Sequence, residues 1–314
     1  MEKLKIQILA RNDEDTIEDC LKSIIPLGGE ISVIDFAATD KTLQICKKYG
    51  ASVHQMDFKG DFSELRNSIS GEGWNLMIHP YEILVGGHED IKSLDPGTYY
   101  GQVLQDDLIM KDVRVWFGSD VKFQNPVYES IPFDGAKYLH SMVIFSRGDQ
   151  ANPWVKRTIL DEWMKKEVAN ADPIYYSSCW HLSQRNVNEF LKESEQYLFQ
   201  KPGGMSEVMT LYYSAIVSMH KKDLQKATRN TLRCLATKIV MAEFWCLLGD
   251  IYAQRNVYDK SKVFYENAMI MGSKRKKADL WPIEISKYKK YPEQMIEKCQ
   301  DMIDKSVVYR SGAR

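Results

Sequence analysis

The chain has 314 residues, 44% hydrophobic and 27% charged, a length that favours one sizeable domain plus a smaller one and a composition that excludes collagen-like and disordered classes. No apolar run approaches the roughly 18 residues of a bilayer span, and residues 1–10 alternate like a strand without the apolar core and cleavage site of a signal peptide, so the expected location is the cytoplasm. The net charge of −1 conceals a division, 21 Lys+Arg against 31 Asp+Glu in residues 1–195 and 21 against 12 in residues 196–314, so the basic half can meet an acidic partner, nucleic acid included, or dock on its own acidic half.

Residues 4–9 alternate and then turn apolar (Leu4, Ile6, Ile8, Leu9), which predicts a first, central strand ending at Ala10-Arg11-Asn12-Asp13. From Thr16, the residues Ile17, Leu21, Ile24 and Ile25 fall at helical spacing, with acids in the opening turn and Pro26 and Gly28-Gly29 closing it. Residues 31–42, Ile-Ser-Val-Ile-Asp-Phe-Ala-Ala-Thr-Asp-Lys-Thr, form a buried-strand pattern that delivers Asp35 to a sheet edge. Asp40 then has the chemistry to cap the helix that starts near Lys41. Leu43, Ile45, Cys46 and Tyr49 give that helix, Gly50 stops it, and residues 51–56 make a third strand. The β-α-β-α-β alternation predicts a parallel sheet with helices on both faces. Small molecules bind outside the carboxyl ends of such strands, which is where Asp35 and Asp40 lie; taken alone, the stretch favours two solvated acids on a plain strand-turn-helix.

Asn12-Asp13 after the first strand, Ile34-Asp35 with Thr39-Asp40 after the second, then Asp61-Phe62-Ser63 and Arg66-Asn67 resemble the successive landmarks of glycosyltransferase family 2, of GT-A fold, over about the first quarter of the chain. The resemblance implies that Asp13 and Asp35 contact the base and ribose of a nucleotide-sugar donor and that Arg66 lies near its diphosphate. The chemistry agrees, since carboxylates accept from ribose hydroxyls and base N–H groups and a guanidinium forks onto phosphate oxygens. Asp40 keeps a structural role as a helix cap, and Asn67 fixes a local turn. The next strand, Trp74-Asn75-Leu76-Met77-Ile78, departs from the family: His79-Pro80-Tyr81-Glu82 follows where the resemblance would place the DxD motif that holds Mg²⁺ or Mn²⁺ against the diphosphate. Three readings follow, in order: a transferase that uses little or no metal, a non-catalytic descendant, and a softer Mn²⁺ site built from His79 and Glu82.

Residues 99–104, 113–117 and 141–145 read as further strands. Between them, Asn125-Pro126-Val127-Tyr128-Glu129 resembles, loosely, an Arg-Val-His-Glu segment of relatives with a helical tail, which makes Glu129 a candidate general base for an inverting transfer; a surface Glu beside a turn is the plainer alternative. Residues 174–176 and 179–183 precede a helix over about 185–199, which puts His181 just after the sheet, where it resembles the family's late histidine near the diphosphate, or else stacks among Tyr and Trp. The linker is Gln200-Lys201-Pro202-Gly203-Gly204-Met205-Ser206. Beyond it, Trp245, Leu248, Gly249 and Tyr252, with Tyr265 and Ala268, resemble a tetratricopeptide repeat; Ala227 and Ser261 stand 34 residues apart in register, and Met295, Cys299 and Met302 mark a poorer third, capping unit. Lys274-Arg275-Lys276-Lys277 reads as a solvated basic turn. Six cysteines without a CxxC pair argue against zinc and fit reduced, mostly buried thiols.

The expected protein is thus a GT-A-like α/β domain over residues 1–195 followed by a tetratricopeptide-like all-α domain over residues 200–314. The resemblance implies transfer of a sugar from a nucleotide sugar, UDP-sugar first, to a protein, glycan or modified nucleic acid, with the tail presenting the acceptor or binding a protein partner. The alternatives are a nucleotide-sugar-binding scaffold without turnover and a nucleic-acid-binding protein that uses the basic tail.

Overall fold

The structure is a computed structural model, and it describes residues 4–148, 153–237, 239–276 and 279–311. Two compact units divide the chain, Met1–Trp163 and Met164–Arg314. The first is a mixed α/β unit with a curled sheet and the second is helical.

In the first unit β1 (Lys5–Ala10) is the central strand, buried along nearly its whole length. It pairs in parallel with β2 (Glu30–Asp35) on one side and with β4 (Trp74–Met77) on the other, and β2 pairs in parallel with β3 (Ser52–Gln55). β1, β2 and β4 are buried on both faces by covering elements, as interior parallel strands require, while β3 at the edge is largely exposed. One of those elements is α1 (Ile17–Ile24), whose Ile17, Cys20, Leu21 and Ile24 are buried at the spacing that places them on one face. It closes through a single 3-10 turn onto Gly28, at φ 69°. Gly29 then runs against β1, and a Cβ there would lie 2.7 Å from the Leu4 carbonyl oxygen. α2 (Thr42–Lys48) shares the core of α1, with Cys46 buried beside Ile17, Cys20 and Leu21, while α3 (Phe62–Ile69) packs Leu65 and Ile69 on Leu9 and Ile34. Asp61 caps α3, its Oδ1 accepting from the Glu64 N–H at 3.1 Å, so the Asp-Phe-Ser-Glu sequence works as an N-terminal cap.

The sheet then turns antiparallel. β5 (Glu82–Gly86), the four-residue helix α4 (His88–Ile91), β6 (Thr98–Gln105), β7 (Leu108–Phe117) and β8 (Lys137–Ser146) give the strand order β3-β2-β1-β4-β7-β6-β8-β5. The three strands expected between residues 99 and 145 are present as β6, β7 and β8, and β5 is additional. α5 (Pro153–Lys166) runs across the division between the units.

The second unit contains α6 (Asp172–Ser183), α7 (Val187–Phe199), α8 (Gly204–His220), α9 (Leu224–Ala236), α10 (Ala242–Gln254), α11 (Tyr258–Ser273) and α12 (Lys290–Ser311). Consecutive helices pack in pairs. The 34-residue register has a physical cause at Gly249 on α10, where an added Cβ would meet the Tyr265 ring of α11 at 2.6 Å. The missing side chain is the seat of that ring, and Ser261 Oγ donates to the Gly249 carbonyl at 2.8 Å beside it. Cys299 on α12 reaches Ser261 Oγ at 3.4 Å, which carries the packing into the third unit.

The division lies well before the Pro-Gly linker where the sequence placed it. α7 packs on both α6 and α8, and the Tyr197 hydroxyl donates to Ser206 Oγ at 2.7 Å across the linker, so residues 164–199 fold with the helices that follow them. Residues 172–183 are a helix, so His181 lies on α6 rather than at the end of a strand. The basic turn is also different from expectation. Arg275 is buried, 3% exposed at its side chain, with Nη1 3.7 Å from Glu243 and Nε 3.6 Å from Asp279, while Lys277 lies outside the described residues. The six cysteines are free thiols, five of them buried.

Candidate functional site

The carboxyl ends of β1, β2 and β4 gather the first unit's chemistry. The loops after β1 and β2 are stitched together by polar contacts. Asn12 Oδ1 accepts from the Thr39 N–H at 2.7 Å, Glu14 accepts from the Lys41 N–H at 3.0 Å, and Asp40 Oδ2 accepts from the Glu14 N–H at 3.1 Å. Thr42 Oγ1 accepts from the Asp13 N–H at 2.7 Å. Asp40 Oδ1 accepts from the N–H of Thr42, the first residue of α2, at 2.9 Å, but the N-cap position is Lys41 and carries no side-chain cap, so Asp40 sits one residue before the cap expected of it. Ala37 sits in this loop at φ 81°, a left-handed conformation that costs a residue with a Cβ about 1–2 kcal/mol.

Asp13 and Asp35 stand on neighbouring strand ends. Asp13 Oδ2 accepts from the Arg11 N–H at 2.7 Å. Burial, helped by the nearby Asp40 carboxylate and opposed by that hydrogen bond, raises its pKa to about 6. Asp35 is 3% exposed; its Oδ1 closes the loop by accepting from the Ala38 N–H at 2.7 Å, and its Oδ2 lies 3.5 Å from Gln55 Nε2.

A second cluster forms where α3 meets the end of β4. Arg66 has no exposed surface; its Nε donates to Glu129 Oε1 at 2.8 Å, and its Nη2 lies 3.2 Å from His79 Nδ1. A guanidinium only donates, so Nδ1 accepts and the imidazole proton is on Nε2. Burial above all, and then the cations Arg66, Arg114 and Lys156, hold the His79 pKa well below its ordinary value, so the ring is neutral. It stacks on Tyr81, with centroids 5.0 Å apart and planes 7° apart. Arg66 Nη1 is buried without a hydrogen-bond partner. Lys156 of α5 lies 4.9 Å from the Tyr128 ring, and burial lowers its pKa while Glu129 opposes the shift. Arg66, His79 and Glu129, widely separated in sequence, are therefore brought together. Lys156, Tyr81 and Tyr128 join them without having been anticipated.

Glu82 is oriented otherwise. Arg114 grips it at 2.8 Å and 2.9 Å, one nitrogen on each oxygen, and its Oε2 also accepts from the His79 N–H at 2.8 Å. Both residues of this pair are at most 4% exposed, and Asp112 Oδ2 lies 3.2 Å from Arg114 Nε. Glu82 thus partners Arg114 and the His79 N–H, while the His79 ring faces Arg66. Among the described residues no group of three or more His, Cys, Asp and Glu is placed to hold a metal ion. A sequence signal for Arg114 existed, a charged residue inside the apolar run Val113-Arg114-Val115-Trp116. His181, in the second unit, lies 3.5 Å from Glu193 Oε1, and its Nδ1 is 3.4 Å from Asn186 Nδ2.

No family model matches the chain, and no curated protein matches it. Solved structures similar to parts of it include MamA 41-end from Desulfovibrio magneticus RS-1, 17% identical, with a TM-score of 0.38, covering 51% of this chain and 86% of that one. Another is glucosyl-3-phosphoglycerate synthase from Mycobacterium tuberculosis in complex with Mn²⁺, UDP and phosphoglyceric acid, 21% identical, with a TM-score of 0.27, covering 33% of this chain and 43% of that one. This chain thus spans less than half the synthase's length, and the functional reading rests on its own residues.

Proposed function

We propose that the first unit is a glycosyltransferase of GT-A type that takes a sugar from a nucleotide sugar, UDP-sugar first, and transfers it with inversion to a protein, glycan or modified nucleic acid. The observation that carries this reading is the pairing, at one sheet edge, of two acid-bearing strand ends with a cation cluster that holds a single carboxylate. Asp13 and Asp35 accept from the ribose and base, Arg66 and Lys156 face the diphosphate, and neutral His79 donates through Nε2. Glu129 takes the proton of the acceptor hydroxyl as that oxygen attacks the anomeric carbon and the bond to the diphosphate breaks. The leaving charge is met by side chains rather than by a carboxylate-bound metal.

The test is a thermal-shift and nucleotide-release series with UDP, GDP and their sugars, each with EDTA and with Mn²⁺. Stabilisation by a UDP-sugar, which scales with ligand over Kd, together with UDP release in EDTA is expected. No shift with any nucleotide would sink the proposal. A second reading, donor binding without turnover, is favoured by one observation, the direct Arg66–Glu129 ion pair that occupies the proposed base. It predicts thermal shifts with no nucleotide release.

A further inference from the structure

Two carboxylates beside the end of β4 are held by buried arginines in very different ways. Glu82 takes both terminal nitrogens of Arg114 and the His79 N–H as well, and both members of that pair are nearly sealed from solvent. Glu129 has one hydrogen bond from Arg66, Nε to Oε1 at 2.8 Å, and its side chain is 10% exposed against none for Arg66. The rest of that guanidinium is not spent on a carboxylate. Nη2 lies on His79 Nδ1 at 3.2 Å, Nη1 is buried without a hydrogen-bond partner, and the Phe123 ring lies 5.5 Å from Cζ. An arginine offers five N–H donors in a planar fork, and a diphosphate satisfies more of them than a one-point carboxylate does. Lys156 of α5 lies in the field of the same Glu129 carboxylate.

The loop that carries Glu129 is pinned at its base and strained at its tip. Gln124 and Ser130 exchange both backbone hydrogen bonds, at 2.9 and 3.2 Å, the Phe62 N–H at the start of α3 donates to the Pro126 carbonyl at 2.9 Å, and Val127 is buried. Between these anchors Asn125 stands at φ 70° and Tyr128 at φ 55°, and a left-handed backbone is uncommon for a bulky side chain. The residue just before Glu129 is therefore held outside its preferred region while the carboxylate sits on Arg66. Rotation at Tyr128 relieves that strain and carries the carboxylate off with the base of the loop in place.

A guanidinium with no exposed surface meets an incoming anion by exchange of the ligand it already has. We propose, resting on the nucleotide-sugar reading above, that Arg66 is shared in turn by Glu129 and the donor: the diphosphate takes the guanidinium, and the displaced Glu129 becomes the base that meets the acceptor hydroxyl. No proton moves in the exchange, since one anion replaces another at a cation. Before the donor arrives Glu129 is a counter-ion, and an acceptor alone finds no free base. The donor therefore binds first. The direct Arg66–Glu129 pair is thereby the resting state of a working site rather than a mark of lost turnover.

Two anions that compete for one guanidinium weaken each other, so removing one must tighten the other. Isothermal titration of the full chain with inorganic pyrophosphate and with UDP, at fixed ionic strength, compares wild type with Glu129→Gln, which keeps the shape and loses the charge. E129Q should bind both about tenfold more tightly or better. That gain should vanish when Arg66→Met is added, because the competition is for that side chain. A gain that survives R66M is a general effect of charge and overturns the proposal. Equal or weaker binding by E129Q, where wild type binds UDP, also overturns it and leaves the donor site standing. Absence of binding of either anion by either chain removes the nucleotide-sugar reading itself, and the exchange with it. If the variants fail to fold, hydrogen exchange of the wild-type chain decides: saturating UDP should speed exchange of the Ser130 amide, whose loop has lost its hold on Arg66, about threefold or more. Unchanged or slower exchange there overturns the proposal.

Discussion

Replacing Asp13 by Asn separates what the loop does for stability from what it does for ligand. In the folded chain this carboxyl titrates at about 6 against 3.8 for the free side chain, because burial and the neighbouring Asp40 disfavour its charge. A raised carboxylate pKa means that the native state holds its proton where the unfolded state has released it. The penalty is therefore absent below about pH 4, grows as pH rises, and is complete above about pH 6. At roughly 1.4 kcal/mol per pH unit the shift corresponds to about 3 kcal/mol, and solvent screening at this part-exposed group reduces it to about 1–2 kcal/mol. Asn has the same shape and keeps an oxygen for the Arg11 N–H but carries no charge. D13N should therefore be more stable than wild type by about 1–2 kcal/mol at pH 7.5, with the gap shrinking toward zero at pH 4.5, as read from urea midpoints at each pH. Under the proposed function the same change weakens UDP binding about tenfold, since a charged acceptor is lost from the ribose or base. A gap that stays constant from pH 4.5 to 7.5, or a destabilised variant at pH 7.5, would refute the reasoning.

The Glu82–Arg114 pair, bidentate and nearly sealed from solvent, should behave as a unit: Arg114→Met or Glu82→Leu alone should cost about 3–5 kcal/mol, and the double change distinctly less than their sum. Additive losses in a urea double-mutant cycle would contradict this. Ala37→Gly relieves a left-handed φ of 81° and, after the extra freedom glycine gives the unfolded chain, should stabilise the protein by about 0.5–1 kcal/mol; a lower melting temperature would count against strain at that loop. Gly249→Ala drives a methyl into the Tyr265 ring at 2.6 Å and should destabilise the second unit by about 1–3 kcal/mol, an effect that Tyr265→Leu in the same chain should partly relieve.

Much of the first unit was legible in the sequence because its signals are local. β1 and β2 are continuous apolar runs bounded by acids and glycines, and α1 shows its buried face directly. The grouping of Arg66, His79 and Glu129 was legible only through a family resemblance, since nothing in the local pattern says that residues 63 positions apart meet. α6 was missed because its Tyr-Tyr-Ser-Ser-Cys-Trp run is aromatic-rich and has no clear apolar face. Asp172-Pro173 opens the helix, and serines such as Ser178 and Ser183 are accommodated inside it by returning their hydroxyls to carbonyls three residues back, at 2.7 Å in each case. Arg275 was misread for a different reason. A run of four basic residues looks solvated, and only tertiary structure shows that Glu243 takes one of them into the interior.

Where the family resemblance would place a DxD motif, this chain has His79-Pro80-Tyr81, and the charges around it are matched within the protein. A pair of aspartates presents negative charge and asks for a divalent cation. Here Arg114 is balanced by Glu82 and Asp112, His79 is neutral, and Arg66 and Lys156 face one carboxylate, Glu129. Three cations thus stand against three carboxylates, and Arg66 Nη1 is buried without a hydrogen-bond partner. Lys156→Met, on the part-exposed face of α5, should leave the fold intact and weaken binding of inorganic pyrophosphate about tenfold or more. EDTA should leave the wild-type affinity unchanged, and raising the salt should reduce it. If pyrophosphate binds only when Mn²⁺ is added, or binds K156M as tightly as wild type, the role proposed for Arg66 and Lys156 at the diphosphate is wrong.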